Sequence, residues 1–441
     1  MHWVLQIKVL IKRVFTKIYT LIRRDIHLKE MFRGSSIALG FKFFSIAVGY
    51  LFFYVLAQRF GAEGVGIFSA CWTLLMISAV IGKLGFDSSI VKFIAGSLAK
   101  NNYSYTRRVY WRCLALVFLS SGLVGLLITI FDESLSKLFF EGVSHAYLIK
   151  WAGISVIPLS ILQYNAESMK GMKDITAFSA FQNGSIYLVT LLFILLLNIF
   201  YSFIGLPVIS LTLSVFFLAL VSFFITIPRF ERPQRIANAR HLRSFDYKRV
   251  IRTSFPMMLS NSLFFLMNWM DILMLSAFKE EAAVGIYNTA LKISALTTVA
   301  LVAVNSIAMP KIAELYEQGK KLHLIRFVKQ TTLFNTLLSM PVFIIILLVP
   351  DFLLGIFGEA FVTGRLALLI LAFGQLFSAF SGSTIQILDM TGKEKTTKNI
   401  LIVTTVFNFV MNYILIPRYG IEGAAVATAM STVLWNALSI I

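Results

Sequence analysis

The sequence predicts an all-α membrane protein: about twelve transmembrane helices in two pseudo-symmetric six-helix bundles around a central cavity. Three observations predict it: apolar runs of membrane-spanning length, a one-sided distribution of basic residues, and an internal repeat. Apolar residues make up 58% of the 441, only 14% are charged, and mean hydropathy is +0.81. A span needs about 20 apolar residues at ~1.5 Å rise each. Runs of that kind fall at 35–57, 65–91, 110–131, 147–167, 175–200, 204–227, 253–278, 283–308, 327–349, 363–388, 398–416 and 420–441. Pro228, Pro310, Pro350 and Pro417 bound several of them. Pro158 and Pro341 lie inside spans, where membrane helices accommodate a kink. The 41 phenylalanines suit lipid-facing surface.

The basic residues set orientation. Between the spans, alternate segments hold 31 Lys and Arg on one side and 6 on the other, with Lys42, Lys83 and Lys292 inside spans. Positive charge is retained in the cytoplasm, so this asymmetry predicts both termini there. The same topology accounts for the formal charge of +19 without nucleic acid as a partner. Residues 1–33 carry eight Lys and Arg throughout, with no clean apolar core, so they do not read as a cleavable signal peptide. Val4, Ile7, Ile11, Val14, Ile18 and Leu21 repeat at helical spacing there, as in an amphipathic helix lying on an anionic membrane surface. Four segments follow: a basic cytoplasmic tail at 1–33, a six-helix lobe at 34–227, a basic cytoplasmic linker at 228–252 and a second lobe at 253–441. Cys71 belongs near the outer end of its span and Cys113 near the inner end of the next, which does not support a disulfide.

The two lobes repeat each other. VGIFSACWTLLMIS at 65–78 matches VGIYNTALKISALT at 284–297, an offset of 219. IAGSLAKNN at 94–102 matches IAELYEQGK at 312–320, and DESL at 132–135 matches DFLL at 351–354. Both halves begin on the cytoplasmic side, so the repeat is parallel and its pseudo-twofold runs along the membrane normal. Two such bundles leave a cavity between them, the usual place for a transported substrate.

Several stretches resemble a known family: FGAEGVGIFSACWTLLMISAVIGKLGFDSSIVKFIA at 60–95, LGIFGEAF at 354–361 and FNFVMNYILIPRYGIEGAAVATAMSTV at 407–433. With the helix order and the duplication, they are similar to the polysaccharide flippases that export O-antigen and capsule repeat units. These belong to the multidrug/oligosaccharidyl-lipid/polysaccharide (MOP) exporter superfamily. The resemblance runs from about residue 30 to the end. It implies export of an undecaprenyl-pyrophosphate-linked oligosaccharide from the cytoplasmic to the outer leaflet of a bacterial inner membrane, for surface polysaccharide synthesis. Membrane lipids and other polysaccharide-assembly proteins are the implied partners.

Ionisable groups inside spans cost several kcal/mol unless they face partners or a wet cavity, so each is a candidate site residue. Lys42 lies ~10 Å into the first span, and at the repeat offset it corresponds to Asn261. Asn268 and Asp271 share a helix face with Asn261, so the repeat predicts that Lys42 and this stripe face the central axis. Lys292 sits at about the depth of Asp271, and an ion pair between them is expected. Lys83 and Asp87 are four residues apart and fit either a structural pair or, with Lys42, a cationic site for pyrophosphate. Lys42, Lys83, Asn261, Asn268 and Lys292 are therefore the substrate-binding candidates. Asp87 and Asp271 are the candidates for coupling to a proton or sodium ion.

No cofactor is expected. GAEGVG at 61–66 lacks the spacing of a phosphate-binding loop, and the five histidines are scattered without metal-ligand spacing. Two other readings stand beside the flippase. A cation-coupled multidrug antiporter of the same superfamily would place acids in its cavity, whereas three Lys face two Asp inside these spans. A membrane glycan polymerase or ligase would place catalytic groups in a large outer loop, and every outer loop here is short.

Overall fold

The computed structural model describes residues 26–99, 102–140, 145–182, 184–231 and 247–440, with most of their side chains from Leu39 onward. The tail before Ile26 and most of the basic linker lie outside the described residues, as does the side chain of Asn261. The described chain is helical, with no strand. In the first half, α1 is Ile26–Gly82, α2 Phe86–Leu98, α3 Tyr103–Ile130 and α4 Asp132–Phe139. α5 is Ala146–Gly171, α6 Ile175–Gln182, α7 Ser185–Leu197 and α8 Leu206–Glu231. In the second half, α9 is Tyr247–Phe278, α10 Glu281–Ala295, α11 Val299–Glu317 and α12 Lys321–Leu348. α13 is Pro350–Gly355, α14 Arg365–Ser381, α15 Thr384–Met390 and α16 Glu394–Ile440. This is an all-α membrane architecture of two lobes.

Among the described residues, eight helices are long and apolar enough to cross a membrane, nine if the bent pair α6–α7 is one span. Two of the eight are about twice the needed length and double back. α1 is non-helical at Gly61 (φ 65°, ψ −168°), and α16 at Gly420 (φ 57°, ψ −128°). The rings of Phe52 and Phe68 lie 5.0 Å apart. On a straight helix those residues would be ~24 Å apart, so the limbs 26–60 and 62–82 are antiparallel. Likewise Asn408 Nδ2 donates to Ser431 Oγ at 3.2 Å across Gly420. The two corners share a local sequence: RFGAEG at 59–64 and RYGIEG at 418–423. The first glycine supplies the positive φ that a side chain would resist. The second leaves room for the returning backbone: a Cβ on Gly423 would meet the Leu415 carbonyl carbon at 2.7 Å.

Other expected spans are interrupted rather than folded back. The run 65–91 breaks at Leu84 (φ 50°) and Gly85 (φ 73°). The run 283–308 passes through a short 3-10 turn, Leu296–Thr298, and 363–388 breaks at Gly382. Hydropathy sums over such a window and is blind to a break in direction. α1 is central, with 78% of its most apolar window buried, whereas α12 is peripheral at 22%. Phenylalanine serves both environments: Phe52, Phe68 and Phe86 are buried, and Phe200 and Phe224 face outward.

The repeat is visible in the packing. Phe52 touches Phe68 in the first lobe, and 219 residues on Asp271 bonds Tyr287 in the second. Equivalent residues also meet each other across the pseudo-twofold. A Cβ on Gly66 would fall 2.6 Å from the Glu281 carbonyl carbon, and one on its counterpart Gly285 would fall 2.9 Å from that of Ala62. Beside them Asn288 Nδ2 donates to Ser69 Oγ at 2.6 Å, another pair 219 residues apart. Gln58 Nε2 donating to the Ile356 carbonyl at 2.8 Å extends this seam. At the other end of the molecule the lobes touch again, with Ser89 Oγ 2.6 Å from Ser254 Oγ beside Gly85.

Candidate functional site

Between the two zones of lobe contact lies a cavity of about 370 Å³. One wall is α1, from Lys42 through Ser45 and Gly49 to Tyr50; the other is the stretch from Lys292 to Val302, with Tyr187 of α7 behind. Helical spacing places 42, 45, 46 and 49 on one face. Lys42 is exposed, and among the described residues no carboxylate pairs with it. Lys292 is half-buried, with its ammonium 3.9 Å from the centre of the Phe53 ring. That contact partly replaces lost water through the negative face of the ring. The Tyr50 hydroxyl donates to the Lys292 carbonyl, tying the two walls together.

Lys292 also lines a second cavity, of about 390 Å³, inside the second lobe. Asn268, Asp271, Asn288, Asn408 and Thr428 contribute to its lining. Asp271 is 2% exposed. Its carboxylate accepts from the Tyr287 hydroxyl, from Thr428 Oγ1 at 3.1 Å and from its neighbour's backbone Ile272 N–H at 3.0 Å. Nearby, Asn412 Nδ2 donates to Asn408 Oδ1 at 2.9 Å, while Asn412 Oδ1 is buried with no partner among the described residues. The matching place in the first lobe is aromatic. Phe52 and Phe68 stand where Asp271 and Tyr287 stand, within an aromatic cluster that includes Phe53, Trp72 and Tyr187.

Lys42 and Lys292 line one cavity, and Asn268 and Asp271 line the adjoining one. One expectation comes out differently. Lys292 and Asp271 do not form an ion pair among the described residues, because Tyr287 and Thr428 already satisfy the carboxylate and Lys292 turns toward Phe53. Lys83, for which both a structural pair and a site role stood open, is buried at 5% exposure, donates to Asp87 Oδ2 at 2.7 Å and to Gln163 Oε1 at 2.6 Å, and does not line the Lys42 cavity. It sits where α1 ends, and its bonds hold that break against α5. Sequence reasoning missed Tyr50, Tyr187, Tyr287, Gln163, Asn408, Asn412 and Thr428. The repeat offset held a usable signal for Tyr287, since Phe68 is its counterpart and the exchange of Phe for Tyr marks where one lobe became polar. For Gln163 and Thr428 no local pattern exists.

A duplicated helical bundle, two lobes in contact at both ends and a cationic cavity between them define the class: a polytopic membrane protein of two lobes around a central cavity. The chain belongs to the polysaccharide biosynthesis protein family, whose model matches residues 31–316. A second model, MatE, matches residues 256–414. The chain is 25% identical to the probable low-salt glycan biosynthesis flippase Agl15 of Haloferax volcanii, over 85% of this chain and 75% of that protein. Its fold is that of the lipid II flippase MurJ in an inward closed conformation, with TM-score 0.71, 17% identity, and coverage of 92% of this chain and 86% of MurJ. A MOP superfamily transporter from Pyrococcus furiosus, reported with reverse polarity of its binding pocket, has TM-score 0.63 at 15% identity, covering 93% and 94% of the two chains.

Proposed function

We propose that the protein flips an oligosaccharide linked to a polyprenyl pyrophosphate, by alternating access of its two lobes. The observation that carries this reading is the pair of cations, Lys42 and Lys292, lining one inter-lobe cavity without carboxylate partners among the described residues. A doubly phosphorylated headgroup supplies the missing charge, and lysine binds it as a point charge. Tyr50 and Tyr187 at the same cavity offer rings for the first sugar. Lys42 and its neighbours Phe43 and Phe44 are exposed, so the polyprenyl tail stays in lipid beside the gap. The flippase name of the Haloferax relative supports a glycan cargo, and the reverse pocket polarity reported for the Pyrococcus transporter, with the different function it suggests, is a precedent for this fold carrying a differently charged pocket.

The finer reading is an undecaprenyl carrier crossing a bacterial inner membrane outward, with twelve passes and both termini cytoplasmic. The Haloferax relative is archaeal, so carrier length and host membrane belong to the proposal. Twelve passes come from counting each limb of α1 and α16, the bent pair, and α9. An inside-negative potential favours outward movement of an anionic cargo by ~2.3 kcal/mol per charge per 100 mV. Asp271, enclosed with Tyr287 and Thr428, is the coupling-ion candidate within this reading.

The multidrug antiporter remains the second reading, favoured by the MatE match and by the acidic chamber around Asp271. Complementation of a flippase-deficient host decides between them, comparing wild type with Lys42→Ala and Lys292→Ala at matched membrane expression. Surface glycan restored by wild type and lost in both variants is the expected result. Restoration by all three removes the cationic site. Failure with several glycan types, together with gained resistance to cationic drugs, replaces the flippase with the antiporter.

A further inference from the structure

Two basic hollows lie outside the transport cavities, on the periphery of the two lobes. The first, of about 510 Å³, is formed by Ser104, Arg107, Arg108, Trp111 and Arg112 on the first turns of α3. The second, of about 360 Å³, is formed by Leu322, Ile325, Arg326, Lys329 and Gln330, with Leu333, on the first turns of α12. They are repeat counterparts: Arg107 and Arg326 are 219 residues apart, as are Trp111 and Gln330. A parallel repeat puts both at the same membrane face, which is the cytoplasmic one in the proposed orientation.

Above each hollow the same helix face turns apolar and open. On α3 it continues through Leu119, Leu123 and Ile130, each 60% exposed or more; on α12 it continues through Leu337 and Leu348, at 62% and 73%. α8 flanks the first hollow, with Trp111 and Phe223 rings 6.4 Å apart and Phe224 outward. A cationic hollow beneath a rail of exposed aliphatic side chains matches one kind of molecule: an amphiphile with an anionic head and acyl chains. Arg107 donates to Glu231 at 3.3 Å, which neutralises one charge. Arg108 does not share that carboxylate. Its Nε reaches the Ser104 carbonyl at 3.3 Å, and its Nη2 is enclosed with no acceptor among the described residues.

We infer that these hollows are a pseudo-symmetric pair of headgroup sites for resident anionic phospholipid in the leaflet at the α3 and α12 N-terminal ends. Basic residues at the membrane surface select anionic lipid over zwitterionic lipid. The duplication argues for resident lipid over cargo. A cargo route through the lobe interface needs one entrance, whereas these sites sit one per lobe, on helices that the interface does not include. Their place suits lipid that anchors each lobe's rim while the lobes rock.

Native mass spectrometry of the full-length protein in mild detergent tests this, with phosphatidylglycerol, phosphatidylcholine and undecaprenyl pyrophosphate as separate probes. Wild type is expected to retain two phosphatidylglycerol molecules under conditions that strip phosphatidylcholine. Arg108→Gln with Arg112→Gln should weaken one site roughly tenfold or more, and Arg326→Gln with Lys329→Gln the other. All four positions are near the surface, so folding is checked by an unchanged elution profile. Equal retention of phosphatidylglycerol and phosphatidylcholine, or two lipids still held by both variants, overturns the inference. Displacement of phosphatidylglycerol from both sites by undecaprenyl pyrophosphate also overturns it, making the hollows cargo-loading sites.

Discussion

Adding one methyl group at the Gly66–Gly285 seam should push the lobes apart at that end. A Cβ on Gly66 would collide with the Glu281 carbonyl oxygen and fall 2.6 Å from its carbon, and ordinary contact begins at 3.4 Å, so the helices must separate by more than about 0.8 Å. The obstacle is backbone, so no side chain can swing aside. Overpacking of this kind costs about 1–3 kcal/mol, and it is paid only while the seam is closed. A state with the seam open escapes it, so the open-to-closed ratio should rise roughly 5- to 150-fold. Spin labels at Lys137 and Glu359, exposed residues of the two lobes, read this as a longer distance population in Gly66→Ala. Native Cys71 and Cys113 are buried and leave the labelling specific. Gly285→Ala should act alike, because it meets Ala62 in the mirrored contact. Gly40→Ala, with no heavy atom within 4 Å, is the neutral control. Unchanged distances in both seam variants, with Gly40→Ala also unchanged, would refute the idea that this contact closes one side of the cycle.

Three further outcomes are expected. Lys292→Met keeps an aliphatic stem against Phe53 but removes the charge, and should weaken cargo binding about 10- to 100-fold by titration in detergent; unchanged affinity would detach Lys292 from the headgroup. Lys83→Ala strands Asp87 in a site where the two side chains are 6% and 14% exposed, and should cost about 3–5 kcal/mol in thermal unfolding. Lys83→Met with Asp87→Leu should recover much of that loss, whereas a specific loss of cargo binding without loss of stability would return Lys83 to the transport site. Asp271→Asn should abolish the dependence of transport in proteoliposomes on an imposed proton or sodium gradient while the protein still elutes as folded; full gradient dependence would remove it as the coupling group.

The architecture was legible because membranes impose simple rules. Apolar length gives spans, and basic residues give a proposed orientation. The 219-residue register then foretold that Gly66 and Gly285, or Ser69 and Asn288, occupy equivalent places. It did not foretell that these equivalents touch each other, since that depends on where the pseudo-twofold axis passes. Lys42 was legible as a lone cation in a span, and it lines the same cavity as Lys292. The pairing of Lys83 with Gln163 was not, because the two are 80 residues apart and only the packing of α1 on α5 brings them together. The Asp271–Lys292 pair was inferred from depth alone. Depth does not fix azimuth, and Tyr287 and Thr428 hold the closer positions.

The corners at Gly61 and Gly420 bear on how the chain is made. Each joins two antiparallel limbs with a single non-helical residue, so there is almost no hydrophilic strap to be carried across the bilayer during synthesis. The limbs can leave the insertion machinery together, as a preformed hairpin whose backbone polar groups are already satisfied. The finished protein then presents little slack chain at these two points to a protease or an antibody, and epitope tags inserted there should fail where tags in longer connections succeed.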